Sequence, residues 1–175
     1  MNQNADLCCK TIRLACDKFR LDYPGVYFIN ETANRTELYD NNLNFISEDT
    51  RDIGYKVKNI RFIPKEYVIY INTRIFINKV QMLSLCYQTV RFIYQINEIK
   101  KGDESQEKRM SQWKYCYESP PRKDRTYLSP VEMDMMSFAV IMLKLHHNIN
   151  LKYKNIKNVD FEKYIERLSK EKRLK

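Results

Sequence analysis

The stretch "LCYQTVRFIYQINEI", residues 85–99, decides the fold. It lies in a segment from Ile75 to about Lys100 whose apolar residues recur at helical spacing. Val80, Leu83, Tyr87, Val90 and Tyr94 form one stripe, and Met82, Cys86, Ile93 and Ile96 form a second beside it. Two adjoining stripes mean a helix buried on more than one side, hence a central one. Gln88, Arg91 and Gln95 interrupt that surface. Polar groups on a buried helix need partners, because an unpaired donor or acceptor away from water costs about 1–3 kcal/mol.

Upstream of this helix the sequence alternates as strands do. "VYFIN" (26–30) follows the turn signal "DYPG" and is rich in β-branched and aromatic residues. "YKVKNIRFI" (55–63) and "YVIYIN" (67–72) read as two further strands separated by "PKE". Residues 31–53, rich in Asn, Asp and Glu, read as one long loop, with room for a short helical turn. A first helix is expected from about Ala5 to Phe19, where Cys8, Ile12, Ala15 and Phe19 share a face.

Downstream, a charged connection over 100–128 contains a Pro-Pro break and a short helix near Glu107–Tyr115, anchored by Trp113. "SPVEMDMMSFAVIMLKLHH" (129–147) then carries strong start signals. Ser129 suits the N-cap, Pro130 the first helical position, and Glu132 the third position of a capping box. A last amphipathic helix covers about Val159–Leu168, with Phe161, Tyr164, Ile165 and Leu168 inward, before the basic tail "SKEKRLK". The expected fold is α+β in a single domain: a small three-stranded sheet, a central buried helix and further packed helices.

Composition narrows the function. The chain has 175 residues, a hydrophobic content of 43%, a charged content of 30% and only 3 Gly. It contains neither G-x-G-x-x-G nor G-x-x-x-x-G-K-[ST], which removes the usual glycine-rich phosphate loops. The 31 Lys and Arg exceed the 22 Asp and Glu, giving a net charge of +9. Such a surface favours nucleic acid, acidic proteins or anionic membranes, or it is only a lysine-rich solvated face. The five cysteines lack paired C-x-x-C spacing, so reduced thiols in a cytoplasm are expected rather than a disulfide framework or zinc finger. No basic-then-apolar leader and no membrane-length apolar run is present, so no membrane association is expected.

The strand "YVIYIN", the helix after it and "YLSPVEMDMMSFAV" together resemble the zincin-like metallopeptidases of the ImmA/IrrE type. The likeness is closest to the small ones found on mobile elements and prophages of low-GC bacteria. In that family the first helix carries H-E-x-R-H-x-Y-Q, and a later one carries P-x-E-x-D-A-x-x-F-A, whose Glu is the third zinc ligand. The resemblance covers roughly residues 67–145 and implies a zincin-like core over about 55–148. Pro130, Glu132, Asp134, Phe138 and Ala139 fall at the family's spacing, as do Arg91, Tyr94 and Gln95. That register puts Gln88 at the first His, Thr89 at the Glu and Phe92 at the second His. A zinc site needs three protein ligands, and the general base must ionise near neutral pH. Glutamine is a poor ligand, phenylalanine none, and threonine is no base.

The resemblance therefore implies a vestigial site at Gln88, Thr89, Arg91, Phe92, Gln95, Glu132 and Asp134, with no metal, no cofactor and no catalytic residue. Gln88 is expected to reach Glu132 across the gap, and Arg91 to pair a carboxylate such as Asp134. Glu132 has a second reading, as the closing residue of the capping box alone. His146 and His147 lie about 21 Å along the helix from Glu132 at ~1.5 Å per residue, too far to substitute as ligands.

The expected function is binding rather than hydrolysis, in the cytoplasm of a bacterial host. The partner is a protein or a protein–nucleic-acid complex, for instance a host defence nuclease of the CRISPR type inhibited by a phage-borne protein. An alternative is direct nucleic-acid binding through a basic surface. Its residues would be Lys56, Lys58, Arg61, Arg109, Lys114, Arg122, Lys123, Lys152 and Lys154, which sit among aromatics. A third reading, an active metallopeptidase with unusual ligands, must find donors other than those the family uses.

Overall fold

The computed structural model describes residues 2–31, 36–48, 57–102, 107–118, 128–153 and 159–171. Helix α1 covers Asn2–Phe19. Strands β1 (Gly25–Glu31), β2 (Thr36–Tyr39), β3 (Phe45–Glu48), β4 (Ile60–Ile63) and β5 (Val68–Asn72) follow. A 3-10 turn, Thr73–Ile77, leads into α2 (Lys79–Lys101), then α3 (Glu107–Glu118), α4 (Pro130–His147) and α5 (Val159–Ser169). The chain forms two compact units, Met1–Thr89 and Val90–Lys175, with the boundary inside α2.

The first unit holds a five-stranded mixed sheet in the order β3-β2-β1-β5-β4. The α+β class is as the sequence indicates, but the sheet has five strands where three are expected. The two extra strands lie in the polar stretch read as a loop. β2 pairs antiparallel with β1, placing Leu38 opposite Ile29, and β3 pairs antiparallel with β2. Their turn is built by one carboxylate. Asp40 accepts hydrogen bonds from the backbone N–H of Asn42 (2.9 Å) and Asn44 (2.7 Å) and from the Asn44 amide (2.8 Å). These bonds hold the Asp40 carboxyl below its ordinary range, the Asn44 side chain contributing most. Asn and Asp cap turns by such local bonds, so "DNNLN" marks a reversal between two short strands.

β1 and β5 run parallel, and their register explains the alternation of their side chains. Val26 lies opposite Ile69 and Phe28 opposite Ile71 on one face, and all four are buried. Burying a side chain such as Phe28 contributes about 1.5–3 kcal/mol. On the other face Tyr27 stacks on Tyr70 at 5.6 Å, beside a small core of Ile29, Leu38 and Val57. Gly25 faces Val68, and a Cβ there would stand 3.0 Å from a Val68 methyl, so this pairing requires glycine or a shift of Val68.

β5 ends at Asn72, whose side chain holds the exit of the strand. It donates to the Val57 carbonyl (2.9 Å) and accepts from the Arg74 N–H (3.1 Å), capping the 3-10 turn. The helix that the sequence starts at Ile75 thus begins with this turn, and α2 proper starts after Asn78. The Asn78 side chain accepts from the Gln81 N–H at 3.0 Å. Cys8, Ile12, Ala15 and Phe19 of α1 are buried together, as their spacing requires. Cys8 also meets the Cys86 thiol of α2 within this unit, and that contact and burial push the Cys86 pKa up.

In the second unit α4 starts as its sequence dictates. The Ser129 hydroxyl accepts from the Glu132 N–H (3.2 Å), and the Glu132 carboxylate accepts from the Ser129 N–H (2.8 Å). Phe138, Ala139, Met142 and Leu143 are fully buried. α4 ends at Asn148 in the left-handed conformation, where the backbone N–H reaches the Leu143 carbonyl. Phe161 and Leu168 of α5 are buried, whereas Tyr164 and Ile165 are half-buried. Trp113 of α3 is buried and meets Tyr94 edge-on at 6.4 Å, the anchoring role its sequence position suggests. No described helix is long and apolar enough to cross a membrane.

Candidate functional site: a buried arginine–aspartate hub

The polar interruptions on α2 resolve into two groups. Gln88 and Thr89, the last residues of the first unit, turn back along their own helix. The Gln88 amide donates to the Ser84 hydroxyl at 2.9 Å, and the Thr89 hydroxyl donates to the Leu85 carbonyl at 2.8 Å. Both bonds span four residues, the reach available to short polar side chains on one helical face. Phe92 is half-buried.

Arg91 and Gln95 open the second unit and serve a different purpose. Arg91, entirely inaccessible to solvent, grips Asp134 of α4 in a two-pronged bond. Nε lies 2.6 Å from Oδ2 and Nη2 lies 2.9 Å from Oδ1. The Gln95 amide donates to the same carboxylate (2.7 Å), and the Tyr164 hydroxyl of α5 donates to its other oxygen (3.0 Å). Four donors on one carboxylate match its accepting capacity, which offsets much of the cost of removing it from water. Glu171 lies 4.0 Å from the guanidinium, and the rings of Tyr94 and Phe138 lie over it at 4.7 Å and 5.6 Å. Burial by itself pushes the Arg91 pKa down. The Asp134 charge and its hydrogen bonds, helped by Glu171 and Tyr94, outweigh this and raise it, so the cation is locked in.

The hub is a fork of three helices closing on one point. Its spacing is set by sequence: Arg91 and Gln95 stand one helical turn apart and reach the same carboxylate, while Asp134 sits one turn into α4. The sequence reading pairs Arg91 with Asp134, and the geometry agrees. It does not single out Tyr164 or Glu171. Tyr164 carries an inward-facing signal in the periodicity of α5, but its hydroxyl's destination does not show in the chain.

The resemblance implies zinc ligands, and the side chains at the implied positions are not ones that hold that ion. The carboxylate of Glu132, exposed at the start of α4, is engaged by the Ser129 N–H and hydroxyl. Asp134 is engaged by Arg91, Gln95 and Tyr164. Gln88, Thr89 and Phe92 offer an amide, a hydroxyl and a hydrocarbon ring. Among the described residues no group of three His, Cys, Asp or Glu could hold a metal ion.

No family model, curated protein or solved structure matches this chain. The geometry must therefore speak for itself.

Of the basic residues expected to form an interface, Lys58, Arg61, Lys114 and Lys152 are exposed. Lys58 and Arg61 belong to the first unit and Lys114 and Lys152 to the second. Lys56, Arg122, Lys123 and Lys154 lie outside the described residues, as does the Arg109 side chain. All five cysteines are free thiols. Cys8, Cys16 and Cys86 are buried, and Cys9 and Cys116 half-buried. Burial raises the Cys9 pKa and pushes that of Cys16 to about 12, so neither carries the thiolate that a nucleophile needs at neutral pH.

Proposed function

We propose that this protein is a catalytically inactive relative of the zincin-like metallopeptidases that works by binding a macromolecular partner. One observation carries the reading. Arg91, Gln95 and Asp134, the residues at which the sequence keeps the family pattern without needing a metal, converge on one buried hub. The positions that would hold and use zinc carry Gln88, Thr89 and Phe92 instead. A chain that keeps the fork supporting a site, while its ligand positions change chemistry, has kept the scaffold for something other than hydrolysis. A partner in the bacterial cytoplasm, such as a host defence nuclease bound by a mobile-element inhibitor, is the specific form we favour, consistent with the +9 net charge.

Metal analysis of the purified protein, combined with a peptidase screen with and without chelator, tests the inactive half of this proposal. Sub-stoichiometric zinc and no chelator-sensitive cleavage are expected; one zinc per chain with chelator-sensitive cleavage overturns it. Affinity capture from bacterial lysate, repeated after nuclease treatment, tests the binding half. A defence nuclease retained after nucleic acid is destroyed supports it, and recovery of no defence protein counts against it.

The exposure of Lys58, Arg61, Lys114 and Lys152 favours a second reading, a basic accessory protein that binds nucleic acid directly. Phosphate contacts release counterions, so binding of this kind must weaken steeply with salt. A gel shift that is absent, or insensitive to salt, removes it.

A further inference from the structure

Within the first unit, α1 and the β2–β3 turn border an open groove with a volume of about 390 Å³, the size of a small-ligand site. Its chemistry is more specific than its size. Arg13 projects from the exposed side of α1, with its guanidinium 4.9 Å from the centre of the Tyr23 ring. The ring face attracts the cation at this distance and helps to hold it there. Among the described residues no carboxylate lies within ion-pair distance of Arg13. Lys10, by contrast, is neutralised by Asp6 at 2.7 Å. The groove therefore presents one cation in surplus.

Neutral polar residues line the same space. The Tyr23 hydroxyl is buried against the Cys9 thiol, so Tyr23 serves the groove through its ring beneath Arg13. Burial raises the Tyr23 pKa, so it remains a neutral hydroxyl. The exposed Asn41 and Asn42 line the opposite wall. Their carboxamides make no hydrogen bond among the described residues, because Asp40 binds the Asn42 backbone and not its side chain. The turn that holds them keeps Leu43 at φ 64, a left-handed conformation that costs a residue with a Cβ about 1–2 kcal/mol. Such strain collects where a loop must present a particular face.

We infer that this groove is a binding site for a small organic anion. Arg13 holds its phosphate or carboxylate group, and the Asn41 and Asn42 amides donate to the oxygens around it. A guanidinium fork with neutral donors beside it suits both anions, since each offers paired oxygens in a plane. The site lies in the first unit and the hub in the second.

Calorimetric titration of the full chain at constant ionic strength tests this, with glucose 6-phosphate and succinate as probes and potassium chloride as control. Saturable binding of at least one probe is expected, and which one binds identifies the anion. Arg13→Gln is expected to weaken that binding about tenfold or more, and Asn42→Ala about threefold to tenfold, as the loss of a charged and of a neutral hydrogen bond implies. Arg13 is exposed, so its variant keeps the fold, which an unchanged melting curve checks. Lys152→Gln, an exposed cation in the other unit, should leave the affinity unchanged. No saturable binding of either probe overturns the proposal. So does an affinity unaffected by Arg13→Gln, or one reduced equally by Lys152→Gln, which indicates general charge attraction.

Discussion

Replacing Asp134 by Asn tests the hub with almost no change in shape. The native carboxylate accepts from Arg91 twice, from Gln95 and from Tyr164. An amide offers one accepting oxygen, and its NH₂ group must face donors that already point inward. Arg91 meanwhile keeps its charge, 0% exposed, and loses its counter-ion. Leaving one member of a buried pair alone costs about 3–5 kcal/mol. Domains are held by only about 5–15 kcal/mol, so the loss is a large fraction of the total. Urea unfolding followed by tryptophan fluorescence reads it directly. Trp113 is the sole tryptophan and lies 6.0 Å from the Arg91 guanidinium, so the signal reports the unit that contains the hub. The midpoint should fall while the slope with urea stays constant. Replacing both partners by Arg91→Met and Asp134→Leu should recover part of the loss, because a buried ion pair is often no more stabilising than a well-packed apolar pair, while Gln95 and Tyr164 still lose this acceptor. A shift under about 1 kcal/mol for Asp134→Asn, or a double variant no better than the single ones, refutes the reasoning.

Other consequences are smaller. Tyr164→Phe removes one donor to the charged Asp134 and should cost about 1.5–3 kcal/mol in the same fluorescence assay, less than Asp134→Asn. Ser129→Ala breaks the capping box at the start of α4 and should cost about 0.5–2 kcal/mol in urea unfolding. Alkaline pH should destabilise the first unit through its buried thiols. The folded pKa of Cys16 is raised to about 12 from 9.0, so its contribution is fully present below pH 9 and is lost as pH rises towards 12. Over that window the unfolded chain has released the proton and the folded chain still holds it, so stability falls by about 1.4 kcal/mol per pH unit. Denaturation midpoints across pH 8–11 should show this decline, and Cys16→Ala should flatten it. At pH 8 Cys8, Cys16 and Cys86 should resist a thiol reagent until urea exposes them, as counting of modified thiols by mass spectrometry will show.

The chain's own periodicity determined a good deal. The double stripe on α2, the single stripe on α1 and the Ser129–Glu132 box on α4 are local patterns, each complete within a few turns of helix, and each falls within the helix it indicates, although α2 starts at Lys79 and not at Ile75. Arg91 and Asp134 too were legible as a pair, since a buried cation on a central helix demands a carboxylate and the motif spacing named one. Tertiary structure alone decided the rest. β2 and β3 look like loop because their residues are polar and their strands short; they become strands when β1 supplies an edge for β2 to pair and β2 in turn supplies one for β3. Glu37 is a carboxylate buried within β2, which no propensity would place there. It stays because the Asn30 amide and the Tyr39 hydroxyl donate to it at 3.0 Å and 2.7 Å. Tyr164 and Glu171 joined the hub, and Tyr23 met Arg13, across 30 or more and 10 residues of chain respectively. Periodicity tells a side chain which way to face. Only the packed neighbours tell it what it will touch.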